Sequence, residues 1–217
     1  MFQNAQSDTS YSQTSGLVID SQPRDAITAG AGNDFVNTGA GNNTIVATVG
    51  DGNDSYTGGA GTDTYDLSGT TANATVSLNA GTATSVDTGA DTLGLNTIEN
   101  VTGGAGNDTM TGGGNNDVFK YIANNFGADT ITDFGFSPGG NQDLIDVSGV
   151  GLKAGDFASK IILPVAGGNM TVGFQGGTIL LNGVNKIGAQ GIDATDFRFA
   201  PRGLADRDDY DEPAGAA

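Results

Sequence analysis

Residues 28–66 read TAGAGNDFVNTGAGNNTIVATVGDGNDSYTGGAGTDTYD, mostly Gly, Asn, Asp and Thr, with a Val, Ile or Tyr returning at about every ninth residue. Aligned on its acids, the stretch divides into AGAGNDFVN (29–37), TGAGNNTIV (38–46), VGDGNDSYT (49–57) and GGAGTDTYD (58–66). Two further copies follow, GGAGNDTMT (103–111) and GGGNNDVFK (112–120). The copies keep register apart from an insertion at Ala47-Thr48 and a long interruption at 67–102. A period this short predicts a solenoid.

Each place in the period has a physical meaning. Glycines at the second and fourth places allow positive φ and let the backbone crowd a ligand with no Cβ in the way. Asn115 takes one of these places, and Asn enters the left-handed region more readily than most residues. The sixth place holds Asp34, Asp54, Asp63, Asp108 and Asp117, with Asn43 as the departure. The eighth holds Val36, Ile45, Tyr56, Tyr65, Met110 and Phe119. Six residues of turn are thus followed by three of strand whose middle side chain points inward. DAIT (25–28) reads as the end of a degenerate earlier copy, with Asp25 in the acidic place and Ile27 in the inward one.

Composition narrows the chemistry. The formal charge is −17, and no Lys or Arg occurs from Asp25 through Phe119. Nucleic acid is excluded as a partner by that balance. Carboxylates without counter-ions stay solvated or acquire cations from outside. With no His and no Cys, the chain lacks the ligands of zinc and iron sites and the residues of Ser-His-Asp or Cys-His catalysis. Carboxylates, carbonyls and hydroxyls remain, and they are the ligand set of calcium. No proline lies between Pro23 and Pro138, which sets the 37 glycines apart from a disordered Pro/Gly composition. The opening MFQNAQSDTSYSQTSGLVID has neither a basic region nor an apolar run of signal-peptide length, and no segment is long and apolar enough for a transmembrane helix. Asp8, Asp20, Asp87 and Asp91 are read as solvated surface acids.

The six copies resemble the RTX (repeats-in-toxin), hemolysin-type calcium-binding nonapeptide, Gly-Gly-x-Gly-x-Asp followed by a large apolar residue at the eighth place. The resemblance implies an all-β fold, a right-handed parallel β-roll or β-solenoid with two nonapeptides per turn, capped by a C-terminal antiparallel β region. It also implies several calcium ions lying between loops stacked one turn apart. One loop would offer the carbonyls of its second and fourth residues and its Asp; the loop above would offer the carbonyls of its first and third residues and its own Asp. On this chain the first such site comprises Gly30, Gly32 and Asp34 with Val49, Asp51 and Asp54. The opposite row comprises Gly39, Gly41 and Asn43 with Gly58, Ala60 and Asp63, weakened by the charge that Asn43 lacks. Gly104, Gly106 and Asp108 are the matching ligands of the second block. TIENVTGGAGND (97–108) resembles the entry to the second block of serralysin-type C-terminal domains, which implies Thr97 and Glu99 as ligands with Gly112, Gly114 and Asp117. The preceding NATVSLNAGTAT alternates apolar and polar residues and predicts strands that continue or flank the roll.

Composition shifts near Phe119: eight of the ten phenylalanines lie from there to Phe199, so a conventional core becomes available. GADTITDFGFSPGGNQDLIDVSGVG (127–151) resembles the junction that follows RTX repeats, and Asp129, Asp133, Asp143 and Asp146 are candidates for further ligands or for turn and capping roles. NMTVGFQGGTILLNGV (169–184) predicts a hairpin turning at Gly176-Gly177. IDATDFRF (192–199) resembles the uncleaved ending that type I ABC exporters read, with an ordinary final strand as the other reading. The expected organisation is an N-terminal lead (1–24), a calcium-binding roll (25–126), a C-terminal cap carrying the secretion signal (127–199) and an acidic disordered tail (200–217).

The function this implies is a secreted, extracellular or cell-surface protein that folds on calcium, has the exporter as partner and performs no catalysis. The alternative is the C-terminal module of an exported enzyme, such as a serralysin-type protease, a lipase or an alginate epimerase. No HExxH motif is present. An adhesin or ice-binding solenoid ranks lower, because Thr44, Thr62, Thr64 and Thr109 form no regular array.

Overall fold

A computed structural model describes residues 17–19, 24–136, 142–187 and 191–201. The expected lead and tail, with Asp8 and Asp20, fall almost entirely outside these spans. The fold is mostly β, with parallel strands dominating two large sheets. Successive strands along the repeats go alternately to one sheet and the other.

The seven-stranded sheet is parallel throughout: Ala26–Thr28, Thr44–Val46, Thr64–Asp66, Asn100–Thr102, Val118–Lys120, Leu144–Asp146 and Phe197–Arg198. Its register aligns Ile27, Ile45, Tyr65, Val101, Phe119, Ile145 and Phe197 in one buried row. The facing sheet has eleven strands and supplies Val36, Tyr56 and Leu93, then Val76, Met110, Ile131 and Leu181. All six eighth-place residues of the recognised copies are no more than 1 % exposed. The period of nine therefore sets the core: one inward side chain per strand, alternately from each sheet.

The interruption at 67–102 is inserted into this pattern. Ala74–Ser77, Thr82–Ser85 and Gly89–Leu93 form an antiparallel meander whose outer strands pair in parallel with Thr109–Thr111 and Ser55–Thr57. Strands Ala128–Ile131 and Leu144–Asp146 continue the same two sheets beyond residue 126. An antiparallel hairpin, Asn169–Phe174 with Gly177–Leu181, extends the larger sheet. Its turn residues are Gln175 and Gly176, one place earlier than expected, because Gly177 already pairs with Phe174. Phe126 packs against Phe174 with ring centroids 4.8 Å apart, and its ring leaves no room for a side chain at Gly177. Phe157, Phe197 and Phe199 form a second aromatic cluster.

The glycines serve two purposes. Gly52 sits at φ +123°, and a Cβ there would overlap the Gly32 carbonyl one turn below. Asn115 adopts φ 76°, as its place in the repeat requires. Gly104 and Gly106 are not in the left-handed region, which corrects the expectation for that copy. There the missing Cβ makes room for neighbouring chain, Thr70 against Gly104 and Ala72 against Gly106.

Candidate metal centre

The sixth-place residues are joined by a ladder of side-chain to backbone bonds. In each step the lower residue's N–H donates to one carboxylate oxygen of the residue a turn above, at 2.7 to 3.0 Å. One row runs Asp34 to Asp54 to Asp91. The opposite row runs from Asp25 through Asn43 and Asp63 to Glu99, and Asp117 donates to Asp143 further along. A third run goes from Ala74 to Asp108 to Asp129. The ladder fixes each carboxylate with one oxygen and leaves the other to be explained.

Those second oxygens differ in their partners, and Asp108 and Asp143 Oδ2 accept the Gly104 and Gly135 N–H groups. Asp54 Oδ2 accepts from the Tyr56 hydroxyl and Asp91 Oδ2 from the Tyr65 hydroxyl, both at 2.6 Å, with the two rings 5.8 Å apart in the core. Asp63, Asp117 and Asp129 Oδ2 are buried with no hydrogen bond of good geometry, although the Asn43 side chain lies beside Asp63 and the wholly buried Tyr121 hydroxyl beside Asp129. A buried charge left unpaired is costly. Burial pushes Asp117 up to about 7, with Asp143, Asp133 and Glu99 adding to the rise. Burial likewise raises Asp129 to about 7, reinforced by Asp108. Asp63, Glu99, Asp108 and Asp143 are raised from the same first cause. Asp51 reaches about 7 and Asp91 about 6 through burial, each further raised by Asp54 and Asp51 also by Asp91. Every one of these shifts records a carboxylate that lacks positive charge nearby.

The expected ligands are distributed as follows. Asp34 and Asp54 are in bonded contact, and Asp51 is buried with its carboxylate on the Thr48 and Gly52 N–H groups and its carbonyl on the Gly32 N–H. Gly30 belongs to this lower loop, and Val49 in the upper loop points its side chain to solvent. Glu99, Gly112, Gly114 and Asp117 line one cavity of about 60 Å³. Thr97 and Glu99 also reach the loop below, where the Thr97 carbonyl crowds Gly58 and Glu99 accepts from the Asp63 N–H. Asp108 and Asp129 adjoin Gly103, and Asp108 also takes the Gly104 N–H. Asp133 holds the Gly112 and Gly113 N–H groups. Asp146 has a capping role, bound to Ser148 and ion-paired with Arg198 at 3.4 Å. Gly39, Gly41, Asn43, Gly58, Ala60 and Asp63 do come together, but through direct bonds between their loops.

One expectation about acids is corrected: Asp91 is 3 % exposed and stands in the sixth place of a hidden copy, VDTGADTLG (86–94), with Leu93 paired to Tyr56. Asp87 is a surface acid, as expected, and its carboxylate holds the Thr71 and Ala72 N–H groups. Two more hidden copies are GTTANATVS (69–77), with Ala74 in the acidic place, and NNFGADTIT (124–132), with Asn125 at φ 58° where a glycine is usual. A second ladder also went unread. Asn33, Asn42, Asn53, Asn73, Asn107 and Asn116 each accept, through Oδ1, a backbone N–H one turn above. Its signal was present, since Asn fills the fifth place of five of the six recognised copies.

Among the described residues no three acidic side chains converge tightly enough to hold an ion by carboxylates alone. A cation here must also take backbone carbonyls, which the glycine-lined loops present. The donor set of oxygen alone, with buried carboxylate oxygens lacking donors, fits calcium and not zinc.

Stacked parallel strands with acid ladders along their turns define a class of repeat protein. The chain belongs to the Peptidase M10 serralysin C-terminal family, whose profile matches residues 26–175. Among solved structures it is similar to the extracellular lipase LipA from Serratia marcescens, at 15% identity and a TM-score of 0.29, over 85% of this chain and 40% of the lipase. No curated protein sequence matches it. No helix among the described residues is long and apolar enough to cross a membrane.

Proposed function

We propose that the chain is a secreted calcium-binding module, a right-handed parallel β-roll that folds on meeting extracellular calcium. The observation that carries this reading is the buried, donorless second oxygen of Asp117, beside the glycine-lined loop at Gly112. Gly30, Gly32, Asp34, Val49, Asp51 and Asp54 would hold one ion. Thr97, Glu99, Gly112, Gly114 and Asp117 would hold another, and Gly104, Gly106, Asp108 and Asp129 a third. Bound calcium would supply the positive charge that the raised carboxylates lack. Extracellular modules bind calcium with dissociation constants of roughly 10⁻⁴–10⁻³ M, which matches a fold triggered outside the cell.

The same reading accounts for export. With cytosolic calcium low, the acid rows repel, and residues 25–119 bury few large apolar groups against the entropy of ordering. The chain then stays threadable for a type I exporter that reads the C-terminal IDATDFRF segment. Phe197–Arg198 forms the last strand of the seven-stranded sheet, so the segment is folded once outside. Circular dichroism tests the reading: coil in chelator, β-structure on adding calcium, and magnesium a poor substitute. A β-spectrum indifferent to chelator would sink it.

A second reading has the family in its favour, since that family is the C-terminal part of a peptidase. The module then serves an exported enzyme encoded in the same reading frame. Sequencing upstream of the region encoding Met1 distinguishes the two: a continuous frame with a catalytic domain supports the second reading.

A further inference from the structure

One junction in the ladder does not fit an ion. The copy 38–46 departs from the others at two places at once: Asn43 replaces the acid, and Thr38 places a hydroxyl in the first position, where the other copies have Ala29, Val49, Gly58, Gly103 and Gly112. Both departures add a hydrogen-bond donor, and both donors are used. The Thr38 hydroxyl donates to the Gly58 carbonyl one turn above. The Asn43 amide accepts the Asp25 N–H at Oδ1 and donates from Nδ2 to the Thr38 carbonyl at 3.3 Å. Thr38 is fully buried and Asn43 is 1 % exposed.

The comparison with the acids is atom for atom. In Asp63, Asp117 and Asp129 the atom left without a hydrogen bond of good geometry is Oδ2. In Asn43 the corresponding atom is Nδ2, a donor, and it already faces a carbonyl. An N–H cannot ligate a cation. The loops are also zipped together. Ala40–Gly41 pairs in parallel with Ala60–Gly61, and the Gly39 carbonyl accepts the Ala60 N–H at 2.8 Å. Asp63 spends Oδ1 on the Asn43 N–H, and its Oδ2 lies against Gly58, whose other neighbour is the Thr97 carbonyl of the turn above.

We infer that the junction between 38–43 and 58–63 binds no calcium and is closed instead by a protein clasp, with Thr38 and Asn43 supplying the donors a cation would otherwise replace. Asp63 serves the loop above it, with Thr97 and Glu99. The inference rests on the calcium-binding reading and refines which residues carry it: Gly39, Gly41, Asn43, Gly58 and Ala60 leave the ligand set.

The test counts bound calcium per chain, by equilibrium dialysis and atomic absorption at saturating calcium, for the whole chain and its variants. Asn43→Ala and Thr38→Val bind as many ions as the native chain while melting at lower temperature. Thr38→Ser, which keeps the hydroxyl, melts close to the native chain. Asn43→Asp turns a second oxygen toward the Thr38 carbonyl and gains one ion. Asp54→Ala, in an expected ligand, loses at least one. Loss of an ion in Asn43→Ala overturns the inference, as does an unchanged count in Asn43→Asp. If Asn43→Ala does not fold even in calcium, the Asn43→Asp count decides alone. A native chain that binds no calcium overturns the underlying reading, an outcome distinct from either of these.

Discussion

Replacing Asp91 by Ala tests the hidden repeat directly. Asp91 accepts the Asp54 N–H at 2.9 Å and the Tyr65 hydroxyl at 2.6 Å, and Asp54, Tyr65 and Asp91 are each no more than 3 % exposed. Neither donor has water to turn to once the carboxylate is gone. A buried donor left unsatisfied costs about 1–3 kcal/mol, so the two together cost about 2–6 kcal/mol. Relief of crowding with Asp51 and Asp54 offsets part of this, so the middle of that span is the working figure. At about 2–4 °C per kcal/mol for a chain of this length, the melting temperature falls by roughly 10 °C. Asp91→Asn keeps one oxygen for the Asp54 N–H and presents its amide to the Tyr65 oxygen, so it retains most of the stability. Asp87→Ala frees two N–H groups that water can reach, and its shift is much smaller. The assay is thermal melting by circular dichroism in saturating calcium. Equal shifts for Asp91→Ala and Asp87→Ala would refute the assignment of Asp91 to the ladder.

Two further predictions concern the loops and the acids. Gly52→Ala places a Cβ on the Gly32 carbonyl at a φ of +123°; that backbone alone costs about 1–3 kcal/mol in a non-glycine residue, so the variant melts well below Gly114→Ala, whose site has nothing within 4 Å. Similar melting curves for the two would contradict the stacked-turn geometry. Asp51, Asp117 and Asp129 rise to about 7 and Asp91 to about 6 in the folded chain, from 3.8. The folded state therefore holds protons that the unfolded state releases between about pH 4 and 7. The sign follows: the penalty on the calcium-free fold is full above pH 7 and vanishes below about pH 4. Calcium-free buffer at pH 5 should show more β-structure than at pH 8, and the calcium midpoint should rise as pH falls below 7. More structure at pH 8 without calcium would count against the buried acid rows.

The period of nine made the core legible, because an inward side chain once per strand leaves its mark whatever the turns contain. Val36, Ile45, Tyr56, Tyr65, Met110 and Phe119 all lie where that period put them. Hidden copies escaped because they lose the signature while keeping the geometry. VDTGADTLG carries Asp87 where the second glycine belongs, and GTTANATVS carries Ala74 where the acid belongs. Their register is set by neighbours, Ser55 beside Thr92 and Thr109 beside Thr75, and no local pattern records such pairings. Asp91 looked like a surface acid for this reason. Gly104 and Gly106 looked like left-handed turn residues because the motif cannot separate two uses of a missing Cβ.

Sixth-place carboxylates differ in what satisfies their second oxygen. In the first row the core reaches into the acids: Tyr56 and Tyr65 fill eighth places, and their hydroxyls satisfy Asp54 and Asp91. Packing of those rings and orientation of those carboxylates are therefore one event. Further along, Met110 and Phe119 fill the same place with no hydroxyl to offer, and Asp117 keeps a buried oxygen without a donor. The early copies thus gain order from core phenols and, between 38 and 63, from the Thr38–Asn43 clasp. Asp117 has no such internal donor for that oxygen, its neighbours Glu99, Asp133 and Asp143 being acids themselves, and it depends most on charge brought from outside. On the proposed reading, calcium contributes least to ordering where the chain carries phenols and the clasp, and most at the cavity between Glu99 and Asp117.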